Sequence, residues 1–525
     1  MQEQIALQHQ NSRRSISLRR PGWIDIVGSI FLFFLVYFGH SLISDPGIGW
    51  HLKNGEWILK NSQVPQYDHF LFTSESSVNS PPKSWVSDQW LSDAIIFLLY
   101  KVGGWSLLHI LTFGFVISIY LLVMAPILRA QKLAPIVTLI AVLLSMLQGW
   151  TQWFLRPVLF SMMLLAVAYS IVYRWQHTGK ADKRAKNSLA LLFLIPIFFL
   201  WANLHPAFPL GLLILFSSVI ATFFERRSDR TFRLTAIATI SALATVSTFI
   251  NPYNYKLHAY TLELVKDDYF MNLMDEWLSP SIYSPSFFAF WLTSFFLMFA
   301  VLRMATKKWS LFDALLLAPF FHMSVLHCRY IPFFGLVSAV PLAKAMQYIL
   351  EERKMPNCSP LNAIAKSFAS LSRKEQNAST FLFFSCFWLV LLLSTLYLKH
   401  LPGHTEEELS FHPKFPKDAV HIIENSAAGE KIFHTPNWGG YLAWHLYPKH
   451  KAFIDDRNQL NGRDKYEEFF TLNNAKPGWQ RVIDKYKFYW LLLEPDAPLA
   501  YLLRDNPNWE IAHRDKVSLL LRQKD

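Results

Sequence analysis

Aspartate, histidine and arginine recur beside apolar stretches of this chain, where an ionised side chain is costly and marks a candidate site. Asp45 and His51 follow the first apolar run. Asp88 and Asp93 precede the second, and Arg156 sits in a turn that also holds Trp150 and Trp153. Asn203 and His205, then Asn251, Tyr253 and Glu276, then His327 and Arg329, follow later runs, and Asp455, Asp456 and Arg457 cluster near the C-terminus. Carboxylates and imidazoles can move protons. A guanidinium is planar and always charged, and it binds phosphate or carboxylate through two parallel hydrogen bonds.

The elements that must position these groups are membrane helices. Of 525 residues, 52% are hydrophobic and only 17% charged, and mean hydropathy is +0.21. That excludes an ordinary soluble enzyme, a disordered chain and a fibrous one. Three cysteines cannot close a disulfide framework. The net charge of +12 is gathered in short loops between apolar blocks, so it reads as membrane topology and not as a nucleic-acid surface.

About twenty apolar residues span a bilayer. The runs 23–43, 105–128, 133–149, 158–173, 189–204, 210–224, 234–250, 287–301, 311–326, 331–349 and 381–398 predict about eleven transmembrane helices. Residues 1–22 form a basic cytoplasmic N-terminus, 23–399 the membrane domain with a first outer loop at 44–93, and 400–525 a small extracytoplasmic α/β domain. Loops rich in Lys and Arg (129–132, 174–186, 226–233, 307–308 and 353–374) alternate with basic-poor ones, which fixes the orientation. All the candidate groups then lie at the outer mouth. A transporter would more often place them near the bilayer midplane. A site at one face suits a substrate with its head group at the interface and its tail in lipid. Plainer readings stand beside this one. Asp45-Pro46 is also a helix exit, Arg156 and Arg329 can snorkel, the tryptophans can form an interfacial belt, and Arg457 can pair with its neighbouring acids. In the tail, 431–434, 452–454, 488–493 and 517–521 read as strands, and 438–446, 465–470, 479–486 and 499–504 as helices.

Several blocks, in order along the chain, resemble bacterial multi-span proteins related to the GT-C glycosyltransferases. Residues 45–58 resemble a family element DPDLWWHLRTGEWI and 85–93 a WVxHEWLxE pattern. Residues 155–158 resemble LRPQ and 201–206 WANLHG, while 438–442 and 453–457 are similar to WGGYL and FIDGR. Asn251-Pro252-Tyr253, Glu276 to Pro280 and Arg329 to Pro332 match further blocks. Gly47, Asp88-Gln89 and Val158 depart from the pattern. The resemblance implies sugar transfer from a polyprenyl-phosphate donor to an extracytoplasmic glycan, lipid or protein acceptor. Asp45 would be the base, with His51 and Asp88 also catalytic. Arg156, His205, Asn251, Tyr253, Glu276, Arg329, Asp455 and Arg457 would bind substrate, in a bacterial cytoplasmic membrane and with membrane lipids as the remaining partner. It makes no cofactor certain and leaves a divalent metal, Mg or Mn, open, with no ligand set assigned. The competing reading is a non-catalytic membrane component or transporter that binds lipid-linked glycan. A topology experiment checks the frame: alkaline phosphatase fused within 251–285 or after 400 is expected to be active, and fused within 174–186 or 226–233 inactive.

Overall fold

The computed structural model describes residues 26, 27, 30, 45–75, 81–177, 188–304, 309–352 and 415–524. The predicted spans 23–43 (but for 26, 27 and 30) and 381–398 lie outside the described residues. The rest is mostly helical. In chain order, the elements that frame the site are α1 (Ile48–Asn61), α2 (Trp90–Ala130), α3 (Pro135–Gly149), α4 (Val158–Gln176), α5 (Leu194–Leu204) and α6 (Phe208–Phe223). They are followed by α7 (Arg230–Ser247), α8 (Tyr255–Leu264), α9 (Phe288–Arg303), α10 (Leu311–Leu326) and α11 (Ile331–Glu352).

Each of the nine predicted runs between 105 and 349 falls on one of these helices. Five helices are long and apolar enough to cross a membrane: Trp90–Ala130, Pro135–Gln152, Val158–Gln176, Pro285–Arg303 and Cys328–Glu351. Shorter apolar helices cover Ser188–Leu204, Phe208–Phe223 and Leu311–Leu326. Their outer faces stay apolar too, with Phe216, Phe223, Phe299 and Leu302 exposed, as expected of helices whose surroundings are lipid. The interior is one cluster that includes Tyr120, Met162, Tyr169, Trp201 and Phe290. α2 begins fifteen residues before the predicted run because it bends at Gly103–Gly104, both outside helical dihedrals. Its polar first stretch, holding Asp93, lies on the near side of that bend.

The C-terminal segment comprises α12 (Lys417–Glu424), β1 (Ile432–Phe433), α13 (Pro436–Leu446), α14 (Asn458–Asn473), α15 (Trp479–Tyr486), β2 (Trp490–Leu493), α16 (Pro498–Leu503), β3 (Trp509–Arg514) and β4 (Leu519–Gln523). One four-stranded sheet runs β1-β2-β4-β3, with β1 and β2 parallel and the other pairs antiparallel. Two expectations are corrected. Residues 452–454 are no sheet strand: Ala452 makes a single parallel bridge to Leu71, because its hydrogen bonds run to Phe70 and Phe72 of the first outer loop. β3 lies outside the expected strands, since two of the six residues Trp509–Arg514 are charged and only one is buried.

The segment is docked on the first outer loop. Ile48 and Leu52 of α1 share a core with Trp438, Tyr441, Leu442 and Trp490. α1 and α13 cross at glycines. A Cβ on Gly49 would lie 2.0 Å from Gly440 O, and one on Gly440 2.3 Å from Pro46 O. The backbones touch only because neither residue has a side chain. Gly49→Val is therefore expected to destabilise the protein by about 1–3 kcal/mol or more, read as a lowered melting temperature of the detergent-purified chain.

Candidate active site

A cavity of about 250 Å³ opens between one set of helix ends and the C-terminal segment. Asp45, His51, Asp88, Arg156, His205, Glu276, Arg329 and Arg457, all singled out from sequence, line it. Residues 45 to 457 therefore meet at one place, although they come from separate helix ends.

Asp45 sits at the entry to α1 and is 2% exposed. Its Oδ1 accepts from Arg156 Nε at 2.5 Å and also pairs with Nη2, while its Oδ2 is buried with no hydrogen-bond partner. Arg156, in the turn before α4, places Nη1 3.6 Å from Glu276 Oε2. Arg329 Nη1 donates to the other Glu276 oxygen at 3.2 Å, and its guanidinium lies 4.1 Å from the Trp277 ring centroid. The loop bearing Glu276 is locked to the corner bearing Arg329, since Cys328 N donates to Leu278 O at 2.9 Å. Burial pushes the Glu276 carboxyl up, but the charges of Arg329 and Arg156 outweigh it and hold it below its ordinary value. Burial opposes the charge on Arg156, and Asp45 followed by Glu276 overcomes it, holding the guanidinium above its ordinary range.

The histidines differ. His51 Nδ1 lies 2.6 Å from Asp93 Oδ1, and Asn54 holds the other Asp93 oxygen at 2.6 Å. His51 is thus oriented by a carboxylate at the start of α2. His205, the residue after α5, accepts the Ala207 N–H on Nδ1 at 3.2 Å, and Ser161 Oγ lies 2.9 Å from the same nitrogen. Burial, then the charge of Arg329, hold His205 well below its ordinary value. The ring is therefore neutral, and Nδ1 acceptance leaves its proton on Nε2.

Three expected residues do not line the cavity. Asn251 closes the turn after α7, donating to Thr248 O and accepting from Tyr253 N, each at 2.8 Å. Tyr253 donates to Pro65 O at 2.5 Å and accepts from Ser87 N at 3.0 Å, so it braces the first outer loop from below. Asp455, fully buried, holds Arg457 through Nε at 2.8 Å and Nη2 at 2.5 Å, and Arg457 Nη1 also reaches Asp68 at 2.7 Å. Arg457 borders the cavity, but its donors face Asp455 and Asp68. Sequence reading underrated Asp456. It lines the cavity, and Trp50 Nε1 donates to its Oδ1 at 2.7 Å. The signal was its own identity, since the FIDGR pattern has glycine there.

A resident metal was left open by the resemblance. The donors fit one poorly. Asp45 Oδ1 and both Glu276 oxygens already face guanidiniums, Trp50 holds Asp456 Oδ1, and Asp45 Oδ2 with Asp456 Oδ2 are fewer oxygens than a hard cation takes. Among the described residues the one grouping of three ligand atoms is Asp418, His513 and Asp515, none of which lines the cavity.

Asp88, 7% exposed, is pushed up to about 7, chiefly by burial, against the hydrogen bond from Gln89. Its folded value thus exceeds the unfolded 3.8. The stability it lends is complete below about pH 4 and is lost as pH rises through about 7. Asp88→Asn is expected to flatten the decline in melting temperature between pH 4 and 8, measured by thermal unfolding in detergent.

No protein-family profile and no curated protein matches the chain. Solved structures do. The oligosaccharyltransferase of Archaeoglobus fulgidus in its apo form superposes with a TM-score of 0.53 at 11% identity, covering 90% of this chain and 69% of that one. The same enzyme complexed with Zn and sulfate gives 0.50 at 10% identity, covering 90% and 68%. ArnT from Cupriavidus metallidurans bound to undecaprenyl phosphate gives 0.47 at 11%, covering 95% and 97%. With its helical core, this cavity and the docked C-terminal segment, the chain shares the fold of that archaeal oligosaccharyltransferase, in line with the fold the sequence resemblance implies.

Proposed function

We propose that the protein is a glycosyltransferase of a bacterial cytoplasmic membrane that moves a sugar from a polyprenyl-phosphate donor to an extracytoplasmic acceptor hydroxyl. The observation that carries this reading is the convergence of a buried carboxylate with a partnerless oxygen, Asp45, on two guanidiniums in one cavity. Transfer needs a base for the acceptor hydroxyl, and Asp45 Oδ2 is the oxygen with capacity to take that proton. It also needs positive charge where the leaving phosphate gains negative charge. Glu276 holds Arg156 and Arg329 side by side, so their orientation is set before substrate arrives, which is where electrostatic catalysis draws its advantage. Neutral His205 offers its Nε2–H as a third donor. His51, fixed by Asp93, and the Trp50 ring stacked on it at 3.7 Å form a wall against which a sugar face can pack. A cell-envelope setting accords with the apolar outer face of the helices.

The test is lipid-linked glycan profiling of a deletion strain complemented with variants. Asp45→Asn, present at wild-type abundance in the membrane, is expected to leave the donor unconsumed, with transfer reduced about 10²–10⁴-fold. A normal profile with Asp45→Asn would sink the enzyme reading and leave a binding component.

A further inference from the structure

Two departures from the family pattern, far apart in sequence, meet in space. The first loop has Gly47 where DPD carries its second acid, and the C-terminal element has Asp456 where FIDGR carries its glycine. A Cβ built on Gly47 would lie 2.7 Å from Asp456 Oδ2 and 3.2 Å from Asp45 Oδ2. The Asp456 carboxylate thus fills the room that a side chain at 47 would take. Trp50 fixes its Oδ1, which turns Oδ2 toward the glycine. Asp45 Oδ2, buried and without a hydrogen-bond partner, borders the same space.

We propose that Asp456, delivered by the C-terminal segment, is the second carboxylate of the site and shares with Asp45 the proton taken from the acceptor hydroxyl. The inference deepens the sugar-transfer reading and rests on it. In the step, the acceptor O–H breaks and its proton passes to Asp45 Oδ2, held between that oxygen and Asp456 Oδ2. The acceptor oxygen forms the new bond to the anomeric carbon, and the old bond to the phosphate oxygen breaks, its electron pair leaving with the phosphate. The second acid answers a physical need. A second buried carboxylate disfavours double ionisation, so the pair takes up one proton as a unit. Consistently, burial, then Asp45, then Asp455 push Asp456 up to about 6, against the opposing charges of Arg156 and His51.

The same geometry bars an acid from standing at both positions. An aspartate at 47 needs the space that Asp456 fills, so only one of the two positions can carry the carboxylate.

The experiment is a pH titration of the protonated-carboxyl infrared band in the detergent-purified full chain. In difference spectra of wild type against each variant, which cancel the Asp88 carboxyl, a carboxyl titrating near pH 6 is expected to be lost in Asp456→Asn and to titrate at lower pH in Asp45→Asn. The exchange variant Gly47→Asp/Asp456→Gly is expected to regain the band and to restore the glycan profile that Asp456→Gly alone loses. Gly47→Asp alone, which crowds three carboxylates together, is expected to lose both the wild-type band and the wild-type profile. The proposal is overturned if the band survives Asp456→Asn, or survives Asp45→Asn at an unchanged midpoint. It is also overturned if the exchange variant melts like wild type yet lacks the band. Because the band is read without turnover, an unaltered glycan profile counts against the sugar-transfer reading, while the band alone decides the carboxylate pair.

Discussion

A guanidinium buried between two carboxylates ties the molecule's two halves together. Arg457, 8% exposed, is held by Asp455 from its own segment and by Asp68 from the first outer loop. Trp85, Trp50 and Phe70 surround it, with ring centroids 4.6, 5.3 and 5.5 Å from the guanidinium carbon. Such an arrangement gives limited net stability, but removing one partner leaves an uncompensated buried charge, at a cost of about 3–5 kcal/mol. Its value lies in register. With Arg457 held, the neighbouring Asp456 can point only into the cavity, and the first loop can lie only beneath the C-terminal segment.

The glycine crossing and the bridge between Leu71 and Ala452 serve the same constraint. At the Gly49–Gly440 contact, backbone meets backbone, so no side-chain rearrangement can absorb a shift. The stretch from Asp45 to the start of α2 is therefore a clamped layer. It presents Asp45, just before α1, and Trp50 and His51 on α1 to a cavity whose other wall is built from the ends of α4, α5 and α11. Charge inside this layer is matched almost group for group: Asp45 with Arg156, Glu276 with both arginines, His51 with Asp93. Burial is tolerable only because of that matching. The exception, Asp45 Oδ2, marks where chemistry can enter.

Chain composition by itself determined that the protein is helical and membrane-embedded, because about twenty apolar residues in a row have few other destinations. The positions of the middle helices were legible for the same reason, to within a few residues. That the charged groups belong together was legible from their recurrence at alternate run ends. β3 was not, since an edge strand with one buried residue in six carries little periodic signal.

Tertiary structure alone decided roles within the set. Asn251, Tyr253 and Asp455 share residue types with the cavity lining, yet their polar atoms are taken up by backbone and neighbours. The partner to Asp45 was hidden for another reason. Gly47 read as a missing acid while Asp456, over four hundred positions on, filled its place. One-dimensional spacing carries no record of which distant side chain occupies the room a glycine leaves, because that room exists only once two segments have packed.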